Sequence, residues 1–184
     1  VPGGAVSDEI RAALDPVADA LEDLGVAYRI AGSVASSALG VARSTLDIDL
    51  VADLREEHIA PFVLRLARDY YVDEVMIRDA VRRRDSFNVI HLTTMLKIDV
   101  FIPKARDFDR QAFSRVTMEP LGEGADAREF PLTTAEDIVV HKLEWFRLGG
   151  EVSDKQWGDI LAVMKTQREL LDSAYLDKWA VEIG

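Results

Sequence analysis

Two short segments of this chain carry the same alternation of aliphatic and charged residues. They are Leu46–Leu50, with the sequence LDIDL, and Leu96–Val100, with the sequence LKIDV. Because successive side chains of a β-strand point to opposite faces, each segment is predicted to be a strand with one face in the core and one polar face. Asp47 and Asp49 then share the polar face, about 7 Å apart along the strand.

The second strand offers a third carboxylate, Asp99. If the two strands lie side by side, Asp99 joins Asp47 and Asp49, and these like charges repel each other unless a cation lies between them. Oxygen ligands without a neighbouring His or Cys suit Mg²⁺ or Mn²⁺ and leave coordination positions open for substrate phosphates. An acidic strand that merely faces solvent is the alternative, and the first segment alone would favour it.

A Gly-Ser pair is the third informative feature. Gly32-Ser33 follows a predicted strand, Val26–Ala31, and opens a helix of small residues. Glycine permits close approach to the backbone, and a helix N-terminus offers free N–H groups and partial positive charge to an anion. Such a pair is often only a helix start, but just before the acidic strand it predicts a phosphate cradle that faces a metal.

The rest of the pattern predicts a mixed α/β (α+β) protein with a C-terminal helical tail. Residues 1–130 form an α/β core in which a mixed β-sheet is flanked by helices, and residues 131–184 form three helices. No Pro/Gly/Ser-rich linker separates the two parts, so they are expected to pack as one unit. Two tail helices are predicted to begin at capping boxes, Thr133 with Glu136 and Ser153 with Gln156.

Composition narrows the class of protein and of partner. The 184 residues include no Cys, which excludes disulfides and thiolate metal sites, and no apolar run long enough to cross a membrane. We therefore expect a soluble cytoplasmic protein without a membrane partner. A net charge of −11 argues against attraction of nucleic acid to the whole surface. One basic cluster, Arg78 with Arg82–Arg84, is either a local phosphate contact or a solvated helix end.

Taken together, Gly32-Ser33, Asp47-Ile48-Asp49 and Asp99 resemble the nucleotidyltransferase superfamily of the polymerase-β type. More narrowly, the chain resembles the AbiEii-type toxin nucleotidyltransferases of toxin–antitoxin and abortive-infection systems. The narrower resemblance rests on the sequence before the first acidic strand and on motifs in the tail. They are RSTLDID at 43–49, Glu136-Asp137, Lys142-Leu143, Trp145–Arg147, Gly149-Gly150, Ser153, Gln156-Trp157 and Asp159.

The resemblance assigns roles to individual residues. It implies metal binding and catalysis by the three carboxylates, triphosphate binding by the Gly-Ser pair, and nucleotide binding and catalysis by a tail lysine followed by an acidic residue. In this sequence they are Asp47, Asp49 and Asp99; Gly32 and Ser33; and Lys142 and Asp159.

The positions of residues in the sequence add two members to this set and bear on two others. Arg43 and Thr45 precede the first carboxylate strand, within reach of substrate phosphate, although a plain surface loop fits Arg43 nearly as well. Lys142 falls in the inward apolar stripe of its helix, four residues after Ile138, so its ammonium must either extend to solvent or meet an anion. Three roles stay open for Asp159: an ion-pair partner of Lys142, a catalytic group or a surface residue.

The implied reaction is Mg²⁺-dependent transfer of a nucleoside monophosphate from an NTP to an acceptor hydroxyl, with release of pyrophosphate. The resemblance implies RNA, above all tRNA, as acceptor and a cognate antitoxin as partner. Three other functions stay open: modification of a protein or of a small molecule such as an aminoglycoside, a catalytically silent nucleotide-binding module, and a Mg²⁺-dependent phosphohydrolase.

Overall fold

The computed structural model describes residues 8–39, 47–122, 127–150 and 152–183. It contains a seven-stranded sheet and eight helices in the described part of the chain. The strands are β1 (Tyr28–Ala31), β2 (Asp47–Ala52), β3 (Tyr70–Tyr71), β4 (Ser86–His91), β5 (Lys97–Phe101), β6 (Val116–Leu121) and β7 (Arg128–Thr133). The helices are α1 (Asp8–Asp23), α2 (Gly32–Ala38), α3 (Glu56–Leu66), α4 (Glu74–Arg83), α5 (Asp107–Ser114), α6 (Ala135–Leu148), α7 (Asp154–Thr166) and α8 (Ser173–Glu182).

The sheet is mixed, with the strand order β3-β4-β5-β2-β1-β7-β6. β2 pairs with β5 in parallel, so the two alternating segments are neighbours, while β4 and β5 pair as an antiparallel hairpin. β1 lies antiparallel to β2 and parallel to β7. The predicted fold class, a mixed sheet flanked by helices with a helical C-terminal part, is confirmed.

The alternation of β2 and β5 divides their side chains as predicted. Ile48, Leu50, Ile98 and Val100 are completely buried and belong to a core that also contains the apolar faces of α1, α3 and α4. Burial of each such side chain contributes roughly 1.5–3 kcal/mol, which fixes the register of both strands. The polar face of the same strands is thereby turned toward the opposite side of the sheet.

The C-terminal helices pack on one another and on the sheet. α6 contacts α2, α7 and α8, and a second buried cluster joins α5, α6 and α8 through Phe108, Val140 and Trp179. The domain boundary predicted after residue 130 falls inside β7, which is a strand of the sheet. The division into two parts stays a prediction.

Some local expectations were wrong. Thr134, not Thr133, caps α6, because its Oγ1 accepts from the Asp137 N–H, whereas Thr133 donates its hydroxyl to the Ile30 carbonyl. Ser153 caps α7 at Gln156 as predicted. Trp145 and Trp157 fall at helical spacings typical of core residues, but they are about half exposed. Among the described residues no helix is long and apolar enough to span a membrane.

Candidate active site

The carboxylates of the two neighbouring strands meet where β1 runs into α2. Asp49 of β2 pairs in register with Asp99 of β5 on one side and with Ala31 of β1 on the other. Gly32 follows Ala31 with φ +60°, and a Cβ there would lie 1.8 Å from Asp49 Oδ2. Gly32 is therefore required twice, for its left-handed backbone and for the space that the Asp49 carboxylate occupies.

The environment of Asp49 disfavours its charged form. Desolvation raises the pKa of the Asp49 carboxyl, and the negative charges of Asp99 and Asp47 raise it further. Lys142 and Lys97 oppose this shift. A carboxyl with these neighbours is stabilised in its ionised form by any cation that approaches it.

Lys97 already places a positive charge among the three carboxylates. Its ammonium lies 2.7 Å from Asp99 Oδ2 and 3.7 Å from Asp47 Oδ1. The hydrogen bond to Asp99 raises the pKa of Lys97. Asp47 is the outermost of the three carboxylates, with 60% of its side chain exposed. Lys97 therefore lies on the solvent side of the three carboxylates.

The residues present fit a divalent cation in part. The donors are carboxylate oxygens, which suits Mg²⁺ or Mn²⁺, and the cradle at Gly32 gives Asp49 a fixed place opposite Asp99. Within the described ranges, however, no three acidic or histidine side chains converge into a ready-made metal cage. Asp49 and Asp99 are brought together, whereas Asp47 stands further out beside Lys97.

Of the two alternatives predicted for the Lys142 ammonium, extension to solvent or contact with an anion, the structure has the contact with an anion. Its Nζ donates to Asp159 Oδ2 at 2.9 Å, and both side chains are largely buried. Asp159 is thus a partner of Lys142, which joins α6 to α7. Lys142 also lines the same cavity as Gly32 and Asp49, and its positive charge acts against the rise in the pKa of Asp49. Ser33 follows Gly32 in α2 and is half-buried, while Arg43 and Thr45 lie outside the described residues.

The cavity beside Asp49 has a volume of about 250 Å³. Val51 and Phe101 of the sheet form one wall, and His141 and Trp145 of α6 form another. The rings of Phe101 and Trp145 lie 6.0 Å apart between their centroids. Desolvation lowers the pKa of His141, as does the charge of Arg29, and both effects favour the neutral imidazole.

A buried ionic network supports the floor of the cavity. Arg29 of β1 is 2% exposed, donates to the Ala112 carbonyl and pairs with Asp137 of α6 at 4.0 Å. Asp137 also accepts from the Tyr175 hydroxyl at 2.6 Å and from Thr134 at 2.9 Å. Desolvation lowers the pKa of Arg29, against the opposing charge of Asp137. The network ties the strand that leads into Gly32 to the C-terminal helices.

The members of the basic cluster differ in the partners that they bind. Arg78 bonds to Glu56 and Glu74, and Arg82 and Arg83 both bond to Asp79, so these three belong to a solvated helix surface. Arg84 differs, since its guanidinium donates to the Pro103 carbonyl at 2.7 Å and lines the cavity. Only this member of the cluster is placed to meet a ligand there.

The three histidines lie in different parts of the structure. His58 accepts from the Arg55 N–H at the start of α3, and His91 is buried, with its ring against Tyr70 and its Nδ1 bonded to Thr94. His141 packs on Phe108. None of them is close to Asp49 except His141, through the shared cavity.

Sequence reasoning assigned no role to Lys97, Arg29 or Arg106. A signal existed for Lys97, because it takes in LKIDV the place that Asp47 takes in LDIDL, and parallel pairing sets the two residues opposite each other. No comparable sign in the sequence indicates that Arg29 is buried. Arg106 bonds to Asp109 and Glu144 on the cavity wall, and this hydrogen bonding lowers the pKa of Glu144.

No family model and no curated protein matches this sequence. Solved structures do. An antigenic nucleotidyltransferase-like protein from Paracoccidioides brasiliensis superposes with a TM-score of 0.56 at 18% identity, over 97% of this chain and 88% of that one. ANT(2")-Ia in complex with adenylyl-2"-tobramycin gives 0.57 at 13% identity, over 94% and 95% of the two chains. A nucleotidyltransferase from Thermotoga maritima, described as putative, gives 0.54 at 13% identity over 84% and 95%. This chain has the nucleotidyltransferase fold.

Proposed function

We propose that this protein is a metal-dependent nucleotidyltransferase that moves a nucleoside monophosphate from an NTP to an acceptor hydroxyl. The observation that carries the proposal is the position of Asp49. It lies in register with Asp99, against the backbone at Gly32, and on the wall of a cavity that Lys142 shares. Asp49, Gly32 and Lys142 line one open space, with Asp99 beside Asp49 in the sheet, and together they would serve a metal, a triphosphate and a second substrate.

Each residue has a task in this reaction. Asp49 and Asp99, with Asp47 at the edge, would hold Mg²⁺ or Mn²⁺, which when bound offsets phosphate charge and lowers the pKa of a hydroxyl. Gly32 and Ser33 would bind the triphosphate through backbone N–H groups and the Ser33 hydroxyl. Lys142, oriented by Asp159, would neutralise charge on the nucleotide.

The transfer itself exchanges one phosphorus–oxygen bond for another. The acceptor oxygen bonds to the α-phosphorus while the bond from that phosphorus to the bridging oxygen breaks, and pyrophosphate leaves. The acceptor proton passes to solvent or to Asp99, which therefore acts as metal ligand, as base or as both. His141, whose pKa is lowered by burial, is a second titratable side chain close to the reaction, on the cavity wall.

RNA is the acceptor that we propose, with tRNA as the first candidate. Arg84 and Lys104 on the cavity wall suit phosphate, and the ring pair Phe101 and Trp145 suits a nucleobase. A polycationic acceptor of the aminoglycoside kind would instead need free carboxylates. Two of the acids on this wall, Asp109 and Glu144, are already paired with Arg106.

The cellular role that we propose is that of a toxin held in check by a cognate antitoxin in the cytoplasm. It is supported by the resemblance of the sequence around residues 43–49 and of the tail motifs to AbiEii-type toxins. Induced expression should arrest growth, and the variant Asp47→Ala/Asp49→Ala should not.

The test incubates the protein with each α-labelled NTP, Mg²⁺ and total cellular RNA, and then separates RNA, protein and small molecules. We expect label in RNA with the unaltered protein and none with Asp47→Ala/Asp49→Ala. The matched control, Glu169→Ala/Asp177→Ala, removes the same charge from exposed positions in the C-terminal part and should label fully. Circular dichroism of both variants checks that the fold is kept.

Other distributions of label would point to the other functions. Label in protein or small molecules would keep the chemistry and reject RNA as acceptor. Turnover of NTP with no labelled acceptor would indicate a phosphohydrolase. Silence in every fraction, with NTP binding retained, would indicate a nucleotide-binding module and overturn the proposal.

A further inference from the structure

Lys97 occupies the place where a cation would be expected. It is the first residue of β5 and pairs in register with Asp47, two residues before Asp99 pairs with Asp49. Its ammonium lies 2.7 Å from Asp99 Oδ2 and 3.7 Å from Asp47 Oδ1. Parallel pairing puts all four side chains on one face of the sheet, so this contact follows from the register.

The arrangement makes Lys97 and a divalent metal competitors. A metal held by Asp49 and Asp99 would need a carboxylate oxygen of Asp99, and Lys97 already donates to one of the two, Oδ2. The like charges of the three aspartates would otherwise repel one another at this spacing. Lys97 compensates that repulsion within the chain, so the strands can pair before any metal arrives.

The contact is open to displacement. Lys97 keeps 40% of its side chain exposed, and Asp47 keeps 60%. Ion pairs that solvent reaches contribute little to stability, far less than a divalent ion gains from several oxygens. The long lysine side chain can swing into solvent without any movement of the strands.

We propose that Lys97 is the resident counter-cation of the carboxylate group, displaced when a divalent metal binds, and that it sets the metal concentration at which the site fills. This inference rests on the proposed function, because the metal site is the one proposed there. The further point is that Lys97 lowers the affinity of the site for metal and stabilises the pair of β2 and β5 when no metal is bound.

The test measures Mg²⁺ and Mn²⁺ affinity by titration calorimetry without nucleotide. Lys97→Met should bind metal more tightly than the unaltered protein, by about fivefold if the competing charge acts through water at about 4 Å. Lys97→Arg, which keeps the charge, should bind like the unaltered protein. Lys165→Met, an exposed lysine on α7, is the matched control for loss of one charge and should leave the affinity unchanged.

A second readout needs no activity and no calorimetric signal. In EDTA, Lys97→Met should melt at a lower temperature than the unaltered protein, and Mg²⁺ should raise its melting temperature by more. If Lys97→Met does not fold without metal, Asp47→Asn/Lys97→Met removes one anion and one cation together. Its Mg²⁺ affinity is then compared with that of Asp47→Asn alone, and the double variant should again bind more tightly.

Equal or weaker metal affinity of Lys97→Met would overturn the inference, since Lys97 would then support the site or leave it unaffected. Absence of Mg²⁺ and Mn²⁺ binding in every form would overturn it as well. Failure of the proposed function has a different signature, namely no transfer of label by the unaltered protein, whatever its metal affinity.

Discussion

Substitution of Gly32 by alanine separates the two reasons for a glycine at this position. The backbone there has φ +60°, which costs a residue with a Cβ about 1–2 kcal/mol. The new Cβ would also lie 1.8 Å from Asp49 Oδ2, so the carboxylate must turn away or α2 must shift. A side chain forced off its rotamer costs about 0.5–1.5 kcal/mol. We therefore expect Gly32→Ala to lose about 1.5–3.5 kcal/mol of unfolding free energy.

Gly25→Ala is the matched control. Gly25 has φ +66°, close to that of Gly32, and a Cβ there would meet no atom within 4 Å. It should show the backbone cost alone, about 1–2 kcal/mol, and leave metal binding and transfer unchanged. Urea unfolding gives both free energies, and calorimetry gives the Mg²⁺ affinity, which should fall at least tenfold for Gly32→Ala only. Equal stability of the two variants, with metal affinity kept in Gly32→Ala, would refute the assigned packing of Asp49.

Three further predictions concern single side chains. Lys142→Met should raise the dissociation constant for NTP at least tenfold in equilibrium binding, whereas Asp159→Asn, which keeps the ammonium, should raise it less; equal effects would contradict the assigned roles. Because the pKa of Asp49 is raised in the folded protein, its ionisation costs stability as pH rises above the unfolded value near 4. In EDTA at pH 7, Asp49→Asn should therefore have a higher melting temperature than the unaltered protein, and this difference should vanish as pH falls toward 4. A difference that does not change with pH would contradict the raised pKa of Asp49. Tyr175→Phe removes the hydrogen bond to buried Asp137 and should cost about 1–3 kcal/mol in urea unfolding with Mg²⁺ affinity unchanged; a neutral result would mean that the network carries no stability.

Much of the site follows from strand periodicity. The alternation in β2 and β5 predicts which side chains are buried, and burial of Ile48 and Ile98 fixes the register that sets Asp49 opposite Asp99. The position of the Gly-Ser pair at the start of a helix is predicted in the same way, because a predicted strand ends directly before it. These features depend on residues close together in sequence or on one repeated pattern.

Features that depend on distant partners could not be predicted in this way. In the sequence, Arg29 is a single charged residue within a strand. Its partner Asp137 belongs to α6 and comes close only in the folded chain. The residues around Arg29 in the sequence therefore do not indicate that it is buried. Trp145 falls at a helical spacing typical of a core residue, yet it faces the cavity opening beside Phe101. The roles of Thr133 and Thr134 depend on which hydroxyl meets the Ile30 carbonyl, a contact between neighbouring strands.

The most direct test of the central claim compares two labels in one reaction. With Mg²⁺ and an RNA acceptor, an α-labelled NTP should leave its label on RNA, and a γ-labelled NTP should release its label as pyrophosphate in equal amount. Asp49→Asn should abolish both signals while its fold is kept. Release of the γ-label as orthophosphate, or undiminished transfer by Asp49→Asn, would contradict nucleotidyl transfer at this site.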